Sequence, residues 1–219
     1  MKDILNYTNE ELVNWLRHDA GSSNPDYFNC DKKSLGGLKL QQVPEEFAEL
    51  LLILKGKKVK RYMELGIGNG GSFFLSCFFM GASLQSAVAV DNLAYGDQIG
   101  QSKEEVEGFI MRAKAYVDSN NIRFVQKSTD DYFEMLNTVK AKTMYDVAFI
   151  DADHSYEGAK RDYVNVLNYV SPGSIIIFHD IASAACPGIF QLWDEVKRNH
   201  AGYKEIIHST TCGIGVLYI

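Results

Sequence analysis

The 219-residue chain has no uninterrupted apolar run of about 18 residues, so it offers no segment long enough to cross a bilayer as a helix. Its first residues, Met1-Lys-Asp-Ile-Leu-Asn, are polar and acidic and lack the apolar core of a secretory signal. Positive charge is not in excess. The formal net charge is −6, which argues against the basic surface that non-specific nucleic-acid binding requires. Cysteine is sparse: the four residues Cys30, Cys77, Cys186 and Cys212 lie far apart, with no metal-type or redox spacing. They read as reduced thiols of a cytoplasmic protein, Cys77 as part of an apolar helix. Internal repeats and low-complexity segments are missing as well.

What is present is an ordinary globular composition, 46% hydrophobic and 23% charged, enough for one full core. Residues 1–58 carry no strand-like run. They offer a short helix at Glu10–His18 with Leu12, Val13 and Leu16 on one side, a Gly/Ser/Asn/Asp-rich loop at Ala20–Leu38, and a helix at Glu45–Leu54 opened by Pro44. From residue 59 the chain alternates. Strands are expected at Val59–Leu65, Ser86–Val90, Ile122–Gln126, Tyr145–Ile150 and Ser174–Phe178. Helices are expected at Gly71–Met80, Lys103–Val117, Asp130–Val139, Glu157–Val170 and Gly188–His200. The strands are short and apolar on both faces, as buried parallel strands are. Two final runs, Tyr203–His208 and Gly213–Ile219, have only Ser209–Cys212 between them, too little for a helical crossover, so they pair antiparallel. The expected fold is α/β: a three-layer, doubly wound, Rossmann-like sheet of seven strands, mostly parallel, with an antiparallel C-terminal strand. The expected division is an N-terminal helical segment, 1–58, covering the site, and a cofactor-binding domain, 59–219.

Ligands of open α/β sheets sit beyond the carboxyl ends of the strands. Each parallel strand here ends in polar groups: Glu64 after the first, Asp91-Asn92 after the second, and Ser128-Thr129-Asp130 after the third. Asp151 follows the fourth and His179-Asp180 the fifth. Between the first strand and its helix lie Gly66, Gly68, Asn69, Gly70 and Gly71, and Asp91 stands 20 residues past Gly71. Alone, that spacing suits a nicotinamide dinucleotide too, with Asp91 on the ribose hydroxyls. Glu64 shifts the balance, because an acid at that place repels a pyrophosphate and attracts an amino group. A cationic cofactor with an adenosine and an amino acid, S-adenosylmethionine, meets both demands.

The segment Glu64–Gly70 resembles the first motif of the class I S-adenosylmethionine-dependent methyltransferases, and the closing antiparallel pair resembles the end of their sheet. Three runs are similar to a narrower group: Phe149-Ile-Asp-Ala-Asp-His-Ser-Tyr-Glu-Gly158, Pro172-Gly-Ser-Ile-Ile-Ile-Phe-His-Asp-Ile181 and Gly213-Ile-Gly-Val-Leu217. That group holds small-molecule O-methyltransferases, some acting on sugars in antibiotics, and relatives labelled cephalosporin hydroxylases. The resemblance implies that Glu64 and the Gly66–Gly70 backbone, Asn69 included, hold the methionine end. It places Asp91 at the ribose with Asn92 beside it, and Ser128, Thr129 or Asp130 near the adenine. A helix-capping role for Ser128-Thr129-Asp130 is compatible with this.

The fourth and fifth strand ends gather Asp151, Asp153, His154, His179 and Asp180 within about 10 Å. In the metal-dependent O-methyltransferases these places bind a divalent ion. Carried over by position, Asp151 and Asp180 are the expected ligands of Mg²⁺ or Mn²⁺, with His179 third. Such an ion polarises a substrate hydroxyl. Catechol-type relatives carry a lysine where His154 stands, and Asp-Asn where His179-Asp180 stands. His154 is the candidate general base. Gln41 and Gln42 are placed to reach the cofactor, and Tyr95 and Tyr156 are candidate pocket walls. The expected activity is O-methylation of a small hydroxylated molecule, a sugar or secondary metabolite. The partners implied are that substrate, with no nucleic acid and no membrane; homo-oligomerisation stays open. The alternatives are an NAD-dependent oxidoreductase, a non-catalytic relative, and a hydroxylase with a two-His-one-carboxylate site.

Overall fold

The computed structural model describes residues 2–18, 38, 40–94, 102–140, 143–208 and 211–219. Cys30, Tyr95 and nearly all of the expected loop Ala20–Leu38 lie outside the described residues. In chain order the elements are α1 (Asn9–His18), α2 (Pro44–Gly56), β1 (Arg61–Leu65), α3 (Gly71–Met80), β2 (Ser86–Asp91) and α4 (Lys103–Val117). They continue with β3 (Ile122–Gln126), α5 (Thr129–Thr138), β4 (Tyr145–Ile150), α6 (Tyr156–Leu167) and β5 (Val170–His179). Helix α7 (Pro187–Asn199), β6 (Tyr203–Ile206) and β7 (Ile214–Tyr218) close the chain.

The strands form one seven-stranded sheet in the order β3-β2-β1-β4-β5-β7-β6. Strands β1 to β5 run parallel, and β7 is antiparallel to both β5 and β6. Winding starts at β1, proceeds outward to β3, then returns to β4 on the other side of β1. The carboxyl ends of β1 and β4 therefore flank the switch point where open sheets bind ligands.

The period-2 alternation of strand side chains builds the three layers. Tyr62, Ala87, Ala89, Val147, Phe149, Ile175 and Ile177 face a core shared with α1 to α4. Met63, Leu65, Val88, Val90, Ala148, Ile150, Ile176 and Phe178 face the core shared with α5 to α7. Glu64 has the parity of Tyr62 and points to the first layer. Helix α3 is buried along its whole length, Cys77 included, as an all-round apolar helix must be.

Several boundaries differ from the sequence reading, each for a traceable reason. Strand β1 starts at Arg61, because the amides of Lys60 and Arg61 donate to the Asp146 carboxylate at 2.7 and 2.9 Å. Val170, expected at a helix end, opens β5 opposite Tyr145, and the register then shifts before Val147. Strand β6 stops at Ile206, since the His208 amide is taken by the Glu46 side chain at 3.0 Å. The α5 cap is Ser128, which accepts from Asp131 N at 3.1 Å.

The N-terminal helices are not loosely attached. Thr8 and Glu11 form a reciprocal capping box at the start of α1. Leu12, Trp15, Leu16, Phe47, Leu51 and Leu54 join the same core as α3. In α1 it is Trp15, rather than Val13, that is buried with Leu12 and Leu16. The chain at Leu38 passes over the start of α3 so closely that a Cβ on Gly71 would lie 2.0 Å from the Leu38 carbonyl oxygen. No helix among the described residues is long and apolar enough to cross a membrane.

Candidate active site

The first half of the site is built on β1 and the loop after it. Glu64 is fully buried; its Oε1 accepts from Ser72 Oγ at 2.6 Å, and its Oε2 accepts from the Tyr62 hydroxyl. Burial pushes its carboxyl up to about 8, with the charges of Asp151 and Asp91 adding to the rise and the bonds from Ser72 and Tyr62 opposing it. Three carboxylates thus meet at the ends of neighbouring strands β2, β1 and β4. Asp91 organises the glycine loop: Oδ2 accepts from Ile67 N at 3.0 Å and Oδ1 from Leu93 N at 2.6 Å. Asn69 is buried, and its Oδ1 has no hydrogen-bond partner among the described residues. Gly66 is held at φ +74, and a Cβ there would sit 2.1 Å from the Asp151 carbonyl oxygen. The close approach of the two strand ends depends on that hydrogen.

The expected adenine end is simpler. Asn92 is exposed and accepts from Ala94 N at 2.8 Å in a local turn. Ser128 is the α5 cap, Thr129 is the first residue of α5, and Asp130 is exposed and 3.5 Å from Arg161 Nε.

The second half lies after β4 and β5. Asp151 Oδ1 is 3.2 Å from His179 Nδ1 and 3.4 Å from His154 Nε2. Asp180 Oδ2 is 3.4 Å from His179 Nδ1 and 3.6 Å from His154 Nε2. Burial alone would raise the Asp151 carboxyl; the facing charge of His179 and the bonds from both histidines hold it down at about 2. Asp180 is likewise lowered, burial opposing and His179 prevailing. His154 is raised, first by its bond to Asp151. His179 is raised well above the ordinary value: burial works against its charge, but Asp151 and Asp180 outweigh it. Its Nε2 is buried without a partner among the described residues. Asp180 sits at φ +61, a strained conformation for a residue with a side chain, fixed by bonds from Ile181 N and Ala182 N to the Gly213 and Cys212 carbonyls.

Asp153 turns away from this cluster. It accepts from Ser155 N at 2.8 Å and lies against Gly158, while Ser155 caps α6. Tyr156 donates to Glu195 at 2.6 Å and is tied to α7. Gln42 comes in from the N-terminal segment, its Nε2 3.4 Å from Asp151 Oδ2. The residue that sequence reasoning missed is Cys186, at the start of α7. Its Sγ is 3.3 Å from His154 Nδ1 and 3.5 Å from Asp180 Oδ2. Burial, aided by Asp180, pushes its thiol up to about 11. The one available signal was its position, six residues beyond Asp180 and just before the helix-opening Pro187.

Strand order, a glycine loop under an acidic crevice, and polar groups at the β4 and β5 ends define the class I methyltransferase fold. The chain belongs to the methyltransferase-domain family whose model matches residues 63–181. Among solved structures it is similar to the O-methyltransferase from Bacillus cereus in complex with S-adenosylhomocysteine. The TM-score is 0.59 and the identity 14%, over 99% of this chain and 91% of that one. It is also similar to the O-methyltransferase TomG from Streptomyces achromogenes, involved in tomaymycin synthesis and bound to S-adenosylmethionine. Here the TM-score is 0.58 and the identity 12%, over 84% of each chain. Curated relatives are the uncharacterised protein y4gI of Sinorhizobium fredii, 26% identical over 140 residues, and an uncharacterised protein of Acanthamoeba polyphaga mimivirus, 26% identical over 121. The matches cover 63% and 54% of this chain, but only 15% and 50% of those relatives' lengths.

Proposed function

We propose that the protein transfers the methyl group of S-adenosylmethionine to a hydroxyl of a small molecule, a sugar or secondary metabolite. The observation that carries this reading is the meeting of Glu64, Asp91 and Asp151 at the switch point, with Glu64 pushed up to about 8. Three carboxyl groups at one crevice suit a cofactor bearing an ammonium and a sulfonium, whose positive charge would draw the proton off Glu64, and they oppose the pyrophosphate of a dinucleotide. The unpartnered Asn69 Oδ1 offers a further acceptor for the same amino group. Glu64, Asn69 and the Gly66–Gly70 backbone would hold the methionine end, and Asp91, with Asn92 at the rim, the ribose. The surroundings of Ser128, Thr129 and Asp130 would receive the adenine.

Bound there, the cofactor supplies a methyl already activated on sulfur. The acceptor oxygen forms the new C–O bond as the C–S bond breaks, and the hydroxyl proton is lost. This chain's part is to align the hydroxyl and remove its proton. In this reading Asp151 and His154, 3.4 Å apart, would face the acceptor. An imidazole there either takes the proton itself or helps hold an ion that lowers the hydroxyl's pKa. Asp151, His179 and Asp180 would be the first ligands of such an ion: two carboxylates and one imidazole, with His179 Nδ1 3.2 Å from Asp151 Oδ1 and 3.4 Å from Asp180 Oδ2. Gln42, whose Nε2 lies 3.4 Å from Asp151 Oδ2, would bring the N-terminal segment over the site. That segment would shield the reaction from water and contribute to acceptor choice.

Calorimetry with S-adenosylhomocysteine and with NAD tests the cofactor. Tight S-adenosylhomocysteine binding without NAD binding is expected, and the reverse would sink the reading. Methyl transfer to a panel of hydroxylated acceptors, with and without a chelator, then separates the two proton routes.

A further inference from the structure

The chain has four cysteines and five histidines, and two of each gather around Asp180. His154, Asp180 and Cys186 each present one ligand atom within 4.8 Å of the other two, and His179, Asp180 and Cys212 do the same. Asp180 is therefore flanked by two imidazole–thiol pairs. The His179–Cys212 pair is buried. The His154–Cys186 pair opens towards solvent, where a substrate could approach. Asp151 adds a further carboxylate 3.4 Å from His154.

A hard ion such as Mg²⁺ demands an octahedron of oxygen ligands and keeps several waters. Imidazole and thiolate instead suit borderline ions of the first transition row, Zn²⁺ foremost. Ligands of one such ion, bonded at about 2.0–2.3 Å, can lie no further apart than roughly 4.6 Å; here Cys186 Sγ is 3.3 Å from His154 Nδ1 and 3.5 Å from Asp180 Oδ2. The three donors come from separate places: the β4–α6 connection, the end of β5 and the start of α7. Besides His154 and Asp180, the thiol has Ser183 within hydrogen-bond reach, and His179, 3.4 Å from Asp180, keeps a buried nitrogen without a partner among the described residues.

We propose that the β4–β5 end of this protein takes a thiophilic first-row divalent ion, with Asp180, His154 and Cys186 as ligands, in preference to Mg²⁺. This deepens the metal reading above and rests on it. It assigns His154 to the ion rather than to proton removal, and makes Cys186 a part of the site.

The test uses the full chain stripped with a chelator. Calorimetry should show one equivalent of Zn²⁺ binding at least 100-fold tighter than Mg²⁺. Co²⁺ should give a thiolate-to-metal charge-transfer absorption, lost in Cys186→Ser and retained in Cys212→Ser, with circular dichroism unchanged. Both Cys186→Ser and His154→Ala should weaken Zn²⁺ at least tenfold. In the unmodified chain, Zn²⁺ should protect Cys186 from alkylation, which checks the ligand without any variant. No Co²⁺–thiolate absorption, a band lost with Cys212 instead of Cys186, or alkylation indifferent to Zn²⁺ would each overturn the assignment. Mg²⁺ binding with none of these signatures would leave the oxygen-ligand reading standing and remove this one. Binding of S-adenosylhomocysteine to the same sample reports separately on the methyltransferase reading.

Discussion

Glu46 on α2 accepts the backbone N–H of Gly213 at 2.9 Å across 167 residues of sequence, and its other oxygen accepts His208 N at 3.0 Å. The carboxylate is fully buried. Gly213 and Cys212 in turn accept from Ile181 and Ala182, directly after Asp180. Glu46 thus fastens the N-terminal helices to the connection that shapes the β5 end. We expect Glu46→Ala to destabilise the fold by about 2 kcal/mol, because one buried and one partly buried amide lose their carboxylate acceptor. Glu46→Gln should keep part of that. Urea unfolding monitored by circular dichroism gives the comparison; equal stabilities for Ala and Gln variants would contradict the clamp.

Glu64 gives a pH signature. Its ordinary pKa is 4.5 and its folded value about 8, so between these pH values the folded state binds the extra proton. Stability of the ligand-free protein should therefore fall as pH rises through that window, by up to about 1.4 kcal/mol per pH unit, and the contribution is lost above pH 8. In Glu64→Gln this slope should disappear, while S-adenosylhomocysteine affinity drops at least tenfold. Unfolding midpoints from pH 5 to 9 and calorimetry at pH 7 check both.

Gly66→Ala should cost about 3 kcal/mol, since the new methyl meets the Asp151 carbonyl and the backbone is left-handed. Thermal unfolding measures this. A neutral outcome would mean that the β1 and β4 ends can separate freely.

His154→Ala should lower turnover at least 100-fold with S-adenosylhomocysteine affinity within twofold. The two roles for His154 then part. As an ion ligand, the loss is accompanied by weaker Zn²⁺ binding; as a base, ion affinity is untouched and the acid limb of the pH–rate profile is lost. Unchanged turnover would remove His154 from the reaction.

Much of the framework was legible because it is local. The glycine loop, the apolar strand runs and the acids at their ends are properties of a few adjacent residues, and the alternation Tyr62/Met63/Glu64/Leu65 already divides two faces. What escaped was long-range. Cys186 is marked in sequence only by its nearness to Asp180 and Pro187, and its meeting with His154 exists only because α7 starts beside the β4–α6 connection. The Glu46 clamp was equally hidden, since a carboxylate at the start of an amphipathic helix ordinarily reads as a solvated cap.

The sequence by itself determined the element order, the parallel sheet with its antiparallel closing pair, and which strand ends carry charge, because hydrophobic periodicity and turn chemistry act over a few residues. Only the tertiary structure decided how those charges meet. Winding about β1 puts Glu64, Asp91 and Asp151 at one crevice, and Asp180 between two imidazole–thiol pairs. Electrostatics and coordination depend on distances of a few ångströms, and the chain sets those only after it has packed.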